Sequence, residues 1–463
     1  MPGDTDSILS ALRDATRATL YDGRLYLVGG FVRDKVMGLP SPQDDIDIVL
    51  EGDALGLAQF LYDRGVAQYH PVVYPRFGTA MIVVQGRDVE LVTARVESYA
   101  PDSRRPDQVR PGTLADDARR RDFTINTLLE NLHTGEIADP LGLAYQDLEA
   151  RIIRTPTDPA LTFADDPLRM LRAVRFAARF GFAIAPETWG AMRIHARRLQ
   201  IVSAERIQEE FSKTLLTPRA PRGLELLRDS GLLAQFAPEL LEMVGVTQNA
   251  FHAYDVWTHT LIALGSLPLD ASLTLRLATL LHDVAKPRTR TVDAEGHVHF
   301  YGHQDVGAQM ARALMQRLKF SNDEIAGVTR LVAQHMRIGE YHSGWTDAAV
   351  RRLIRDLGPC LDDLFALHRA DVAAQSPERQ DISRALELRA RIDAIQSRQD
   401  ITALTSPLDG QEIMTLLNLS PGKQVGRIKD YLTNEVVEGR LAPDDKETAA
   451  RLAREFLDRQ DSE

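Results

Sequence analysis

Between Leu25 and Val92, short β-branched runs are separated by stretches of helical character. LYLVGG, DIDIVL, TAMIVV and VELVTA have the length and composition of buried or half-buried strands, and together they predict a small α/β sheet. Beyond about residue 151 the strand signals fade. Long Ala/Leu/Arg-rich helical patterns take over, punctuated by turn signals at Asp158-Pro159, Thr217-Pro218 and Leu267-Pro268. There is no short internal repeat and no low-complexity tract, which argues against a solenoid or a disordered scaffold.

Composition narrows the class. A chain of 463 residues with 44% hydrophobic content fills more than one core, so two to four domains are expected. The lone Cys360 rules out an intramolecular disulfide framework. The amino terminus lacks the basic-then-apolar order of a secretory signal. No apolar run approaches the roughly 18 to 20 residues that span a bilayer, which predicts a soluble cytoplasmic protein with no membrane partner. A formal charge of −11 confines any nucleic-acid contact to local basic patches, because phosphate binding needs a cationic footprint.

The predicted first strand runs into Gly29-Gly30 and then Phe31-Val32-Arg33-Asp34. Two glycines let backbone approach phosphate oxygens, a helix start offers free N–H groups, and Arg33 adds a charge-assisted bond. One strand later comes Asp45-Ile46-Asp47. Residues two apart on a strand share a face, so both carboxylates project together while Ile46 faces the core. Like charges this close repel unless a cation sits between them, and paired carboxylates suit Mg²⁺. Glu90, between apolar neighbours on a later strand, is the third candidate ligand. Two-metal phosphoryl transfer is the chemistry this set predicts.

With these residues in view, the sequence resembles the polymerase-β-like nucleotidyltransferases, specifically the bacterial-type (class II) CCA-adding enzymes and their poly(A) polymerase relatives. Arg120-Arg121-Asp122-Phe123-Thr124-Ile125-Asn126 matches the family's ribose-holding motif, which implicates Arg121, Asp122 and Asn126. Asp139-Pro140-Leu141-Gly142 with Asp147 and Arg154 looks like the hinge between head and neck. Asp165-Asp166-Pro167-Leu168-Arg169 matches the nucleobase-reading motif, departing from it at Asp165, where relatives usually have Glu. Glu205-Arg206-Ile207 with Glu209 resembles the supporting helix. Read on its own, Asp166-Pro167 is also a helix start, with a capping carboxylate before a first-turn proline. A carboxylate beside a guanidinium can take the amine edge of cytosine or adenine, so the resemblance implies that Asp166 and Arg169 select CTP and ATP. Arg169, Arg172, Arg175 and Arg179 recur at three- and four-residue spacing, a stripe expected to hold RNA. The stretch from Arg95 to Asp117 resembles the family's flexible loop, with Asp102-Ser103-Arg104-Arg105-Pro106 retained. In relatives a retained loop goes with addition of the terminal adenosine.

Farther on, His259, His282-Asp283, His303, His335 and Asp371 appear in order. Adjacent His-Asp on an apolar helix is costly to bury without a partner, and metal coordination removes that cost. The set resembles the HD phosphohydrolases, which implies one or two ions. Mixed imidazole and carboxylate ligands suit Mn²⁺, Fe²⁺, Co²⁺ or Ni²⁺ better than Mg²⁺. Lys286 is expected either to meet substrate phosphate or to lie on the surface. Ser420-Pro421-Gly422-Lys423 and Arg427 resemble the tail of such fusions.

The expected architecture is an α/β head of the polymerase-β-like nucleotidyltransferase class followed by mainly α-helical neck, body and HD domains. The boundaries are a lead-in over 1–24, the head over 25–154, a helical neck and body over 155–240, the HD domain over 241–380 and a helical tail over 381–463. The expected activity is template-independent addition of CCA, or of the terminal A alone, to a tRNA 3′ end from CTP and ATP. An attached phosphohydrolase would act on ends such as 2′,3′-cyclic phosphates. The alternatives are a bacterial poly(A) polymerase, or an RNA-binding HD phosphohydrolase with a non-catalytic head.

Overall fold

The protein's structure, a computed structural model, describes residues 4–40, 46–99, 106–248, 254–397 and 404–460. The chain divides into two compact units, Met1–Leu241 and Glu242–Glu463.

In the first unit the apolar runs form strands β1 (Leu25–Val28), β2 (Ile46–Leu50), β3 (Val72–Tyr74), β4 (Thr79–Val84) and β5 (Arg87–Thr93). The arm that follows is a separate hairpin of β6 (Arg95–Tyr99) and β7 (Pro106–Pro111), and β8 (Leu129–Asn131) and β9 (Ile137–Ala138) return to the sheet. The seven-stranded sheet has the order β3-β4-β5-β2-β1-β8-β9. It is mixed: β2 and β5 run parallel, whereas β1 is antiparallel to both of its neighbours. Alternation sets the faces. Ile46, Ile48, Leu50, Val89 and Leu91 pack with Ile8, Leu12, Leu57 and Leu61 of the Thr5–Thr16 and Ala54–Asp63 helices in one continuous core. Burying each such side chain contributes about 1.5–3 kcal/mol. The opposite face carries a small apolar cluster of Val28, Val49, Ala94 and Leu129 beside polar residues.

Helices then dominate, as the change of periodicity predicts. Asp158 does more than break the chain: its carboxylate accepts from Ala160 N at 2.8 Å and starts the Pro159–Asp165 helix. The Leu168–Phe180 helix packs on Ala204–Leu215 and Ala220–Asp229. Strand structure does not vanish entirely, since Ile152–Ile153 pairs in parallel with Ala183–Ile184.

The second unit is built around the helices Val256–Gly265, Leu273–Leu281, His303–Arg317, Asn322–Gln334 and Leu361–Ala373. Three further helices, Gly410–Leu417, Lys423–Val437 and Lys446–Gln460, pack on one another. Among the described residues no helix is long and apolar enough to cross a membrane.

Candidate active sites

β1 delivers the chain into Gly29, whose φ of 75° is left-handed and favours glycine, and then into the Gly30–Val36 helix. A Cβ at Gly29 would lie 3.6 Å from Arg121 Nη1 and 3.9 Å from Asp47 Oδ2, so turn, guanidinium and carboxylate meet in one place. Asp47 stands directly opposite Glu90 in the parallel β2–β5 register. In-register strand neighbours are only about 5 Å apart, and the core takes their flanking residues, so both carboxylates share the other face. Asp45 lies outside the described residues, as do Asp102 to Arg105. Two carboxylates pushed together on a strand face are suited to a divalent cation, which removes their repulsion.

Arg33 does not point outward to phosphate. It is 2% exposed, donates through Nε to Asp34 Oδ1 at 2.7 Å and through Nη1 to Asn126 Oδ1 at 2.6 Å. Its guanidinium also lies 5.1 and 4.8 Å from the ring centroids of Phe176 and Phe180. The residue is a brace beneath the glycine turn. Arg121 is held by Asp117, whose Oδ2 lies 2.9 Å from Nη2. Burial works to raise the Asp117 carboxyl, but Arg121 and Arg120 outweigh it and hold it below the usual range.

Asn126 passes the bonding on, donating to Asp122 Oδ1 at 2.8 Å. Asp122 Oδ2 receives Arg172 Nε at 2.8 Å. Burial opposes the Asp122 charge, yet Arg172, Asn126 and Arg169 hold this carboxyl far below the ordinary range. Arg172 and Arg175 both reach Glu210, at 3.5 and 2.6 Å, and Arg179 reaches buried Asp34 at 2.9 Å. The arginine stripe expected to hold RNA is therefore not a solvated cationic face. It is the seam that fastens the helix to the head and to its neighbouring helix.

At the start of that helix, Pro167 has φ −61° and ψ −20°, and Asp166 Oδ1 accepts from Leu168 N at 3.1 Å. Asp166 Oδ2 is paired with Arg206 at 2.8 Å, while Arg169 Nη2 donates to the Arg120 carbonyl at 2.6 Å. The motif residues 120–126 and 165–169 are thus joined. The hinge secures them from behind: Asp147 accepts from Thr124 Oγ1 at 2.6 Å and pairs with Arg154 at 3.1 Å.

In the second unit the four candidate ligand histidines turn Nδ1 to a backbone carbonyl. His259 faces Ala374 at 3.3 Å, His282 Thr279 at 2.7 Å, His303 Phe300 at 2.7 Å and His335 Val332 at 2.7 Å. A ring anchored at Nδ1 keeps its Nε2 lone pair for a metal. Asp283 serves two sides: Oδ2 is 3.2 Å from His282 Nε2 and 3.7 Å from His259 Nε2, while Oδ1 is 3.5 Å from His303 Nε2 and 3.9 Å from His335 Nε2. Asp371 Oδ1 completes the first side, 2.9 Å from His259 Nε2 and 3.7 Å from His282 Nε2. Two triads result, His259-His282-Asp371 and Asp283-His303-His335, each with ligand atoms within 4.8 Å of one another.

These donors fit divalent ions. His303 Nε2 and His335 Nε2 face each other at 3.1 Å, so with Nδ1–H on the carbonyls their lone pairs would repel without a cation or proton between them. His282 Nε2 is buried between the carboxylates of Asp283 and Asp371, at 3.2 and 3.7 Å. Burial and the charge of His282 push His335 down to about 4. His282 is pushed up to about 10, against its burial, by Asp283 and Asp371. Its proton there balances charge that a divalent ion would otherwise balance. Lys286 is not on the surface. It is 7% exposed, 2.7 Å from Asp283 Oδ2, and donates to Gln248 Oε1 at 2.7 Å.

Comparison with known proteins converges on one family. A poly A polymerase head domain is recognised over residues 25–154, a probable RNA and SrmB-binding site of polymerase A over 181–243, and an HD domain over 250–390. The A-adding tRNA nucleotidyltransferase of Deinococcus radiodurans is 38% identical over 330 residues, covering 69% of this chain and 74% of that protein. The chain belongs to the CCA-adding tRNA nucleotidyltransferase family. The CC-adding tRNA nucleotidyltransferase of Thermus thermophilus is 37% identical over 352 residues, 74% of this chain and 77% of that protein. The crystal structure of the Bacillus stearothermophilus CCA-adding enzyme in complex with CTP has the same fold, with a TM-score of 0.67 at 22% identity and full coverage of both chains. The protein is an enzyme of this family with an attached HD domain.

Sequence reasoning missed the acidic partners that hold this family member's site together: Asp34, Asp117 and Glu210. Asp34 sits between Arg33 and Lys35 and Glu210 follows Glu209, so no local pattern flags either as buried. Asp34→Ala leaves Arg33 buried without its nearest carboxylate, and losing one partner of a buried pair costs about 3–5 kcal/mol. The expected result is a Tm for the first unit lower by about 10 °C, read by calorimetry; an unchanged melt would remove the bracing role.

Proposed function

We propose that the enzyme completes the 3′ end of tRNA, joining nucleotides from CTP and ATP with release of pyrophosphate and including the terminal adenosine. The in-register pair of Asp47 and Glu90 beside the Gly29 turn carries this reading. Mg²⁺ held by Asp45 and Asp47, with Glu90 assisting, would lower the pKa of the attacking 3′-hydroxyl and neutralise the departing pyrophosphate. Gly29 and Gly30 leave backbone room for the triphosphate, and Arg33 braces the turn that does so. Arg121 stands beside the turn, where its charge favours the phosphates. Asp122 and Asn126 order the ribose side, and Asp166 and Arg169 read the amine edge of cytosine or adenine. Arg172 and Arg175 position that reading helix. The retained β6–β7 hairpin supports adenosine addition.

In the second unit, His259, His282, Asp283, His303, His335 and Asp371 would hold one or two ions such as Mn²⁺, Co²⁺ or Ni²⁺, which would supply Lewis acidity and make water a better nucleophile. The activity proposed is hydrolysis of RNA-end phosphoesters such as 2′,3′-cyclic phosphates. Water adds at phosphorus, one ribose P–O bond breaks, and the leaving oxygen takes the proton, so a cyclic diester becomes a monoester. Purified protein loaded with transition metal that leaves cyclic phosphates intact would end this part of the reading.

The deciding experiment offers labelled CTP and ATP, with Mg²⁺, to tRNA transcripts ending at the discriminator base, at C or at CC. Extension of the first transcript by CCA is expected of a complete enzyme. Extension of only the CC-ended transcript, by one A, assigns the A-adding half of a split pair. No extension of any transcript refutes the transferase assignment, and long runs of A would mark a poly(A) polymerase.

A further inference from the structure

The turn that delivers His303 to the HD centre carries an aromatic pair outside the ligand set. His299 ends a short antiparallel hairpin in which Thr291–Val292 pairs with Val298–His299. Its ring stacks on Tyr301, with centroids 5.1 Å apart and planes within 11°. His299 Nδ1 lies 3.2 Å from Tyr301 Oη, and its Nε2 lies 2.8 Å from Asp293 Oδ2. Asp293 is fixed in turn, accepting at Oδ1 from the backbone N–H groups of Glu295 and His297 at 3.1 and 2.8 Å. The tyrosine is therefore held through a chain of contacts, yet it is 75% exposed. A large ring that is ordered but buries so little has one face supported by His299 and the other open to a partner.

Its position says what that partner is. His303 Nδ1 bonds to the Phe300 carbonyl at 2.7 Å, and Gly302 turns the chain with φ 71°, so Tyr301 is the corner beside a ligand. Among the six ligand side chains, exposure is concentrated at Asp371 (22%) and His303 (8%), and the other four are at 3% or less. Tyr301 stands two residues before His303, one of the two ligands that reach solvent. Metal ions grip a phosphoester whatever is attached to it. A flat ring at the rim adds affinity for a nucleobase, in a manner tolerant of which base it is.

We propose that Tyr301, held by His299, is a stacking platform for the base of the nucleotide whose phosphoester is hydrolysed at the HD centre. It is a positioning residue, and the inference rests on the phosphohydrolase reading. The test uses the full chain loaded with Mn²⁺, as wild type, Tyr301→Ala and Tyr301→Trp. Two substrates are compared: adenosine 2′,3′-cyclic phosphate and methyl riboside 2′,3′-cyclic phosphate, which has no base. Tyr301→Ala is expected to raise KM for the adenosine substrate about tenfold, the scale of one base stack, with kcat within about twofold. The base-free substrate should be unaffected, Tyr301→Trp should restore the KM, and adenosine addition to CC-ended tRNA should not change. Equal effects on both substrates, or none on either, would overturn the platform while leaving the phosphohydrolase intact. If the wild type hydrolyses neither substrate, the phosphohydrolase reading itself fails and the platform with it.

Discussion

Asp47→Ala is expected to reduce labelled ATP incorporation into CC-ended tRNA by about 10³-fold or more, the scale of several kcal/mol of lost charge stabilisation. The side chain projects from β2 directly opposite Glu90, on the face away from the core residues Ile46 and Ile48, which stay in place when it is removed. The variant should therefore still fold and melt cooperatively. Phosphoester hydrolysis by the HD domain should also persist. Incorporation within about tenfold of wild type would remove Asp47 from the metal site. The pairing of lost transfer with retained stability is what separates a ligand from a structural carboxylate.

The second large effect is expected at Asp283. One carboxylate offers Oδ2 to the His259 and His282 side and Oδ1 to the His303 and His335 side, so Asp283→Asn weakens both triads at once. It also deprives buried Lys286 of its anion. Protein equilibrated with Mn²⁺ and desalted should retain far less metal by elemental analysis, and hydrolysis of 2′,3′-cyclic phosphates should fall by about 10²-fold or more. Adenosine addition should stay within about twofold of wild type, because the transferase residues lie in the other unit. Full metal content in the variant would show that the two triads do not share this residue as a ligand.

Much of this was legible in the sequence because it depends on short-range periodicity. The shared face of Asp47 and Glu90 follows from period-two alternation plus one strand pairing. The four histidines and two aspartates were legible because His-Asp within an apolar run has few other uses. What could not be read was the fate of the arginines. Three- and four-residue spacing shows that Arg172, Arg175 and Arg179 share a helix face, but whether that face meets water or carboxylates depends on Asp122, Glu210 and Asp34, which lie 50, 35 and 145 residues away. Lys286 is a similar case: its partner Gln248 is 38 residues distant, and local pattern cannot distinguish a surface lysine from a buried one. Arg33 was placed at the right turn and on the wrong side of it, since the rings of Phe176 and Phe180 that draw it inward come from a later helix.

The run of contacts from Arg33 through Asn126, Asp122 and Arg172 to Glu210 behaves like a toothed key. The carboxylates are shared, Glu210 between Arg172 and Arg175 and Asp34 between Arg33 and Arg179, so a slip of one helical position would break several pairs at once. Such a joint has no intermediate settings: it is engaged or it is broken. The turn at Gly29 and the start of the Leu168–Phe180 helix are consequently one gauge of fixed dimensions, which on the proposed function is what each incoming nucleotide would be measured against.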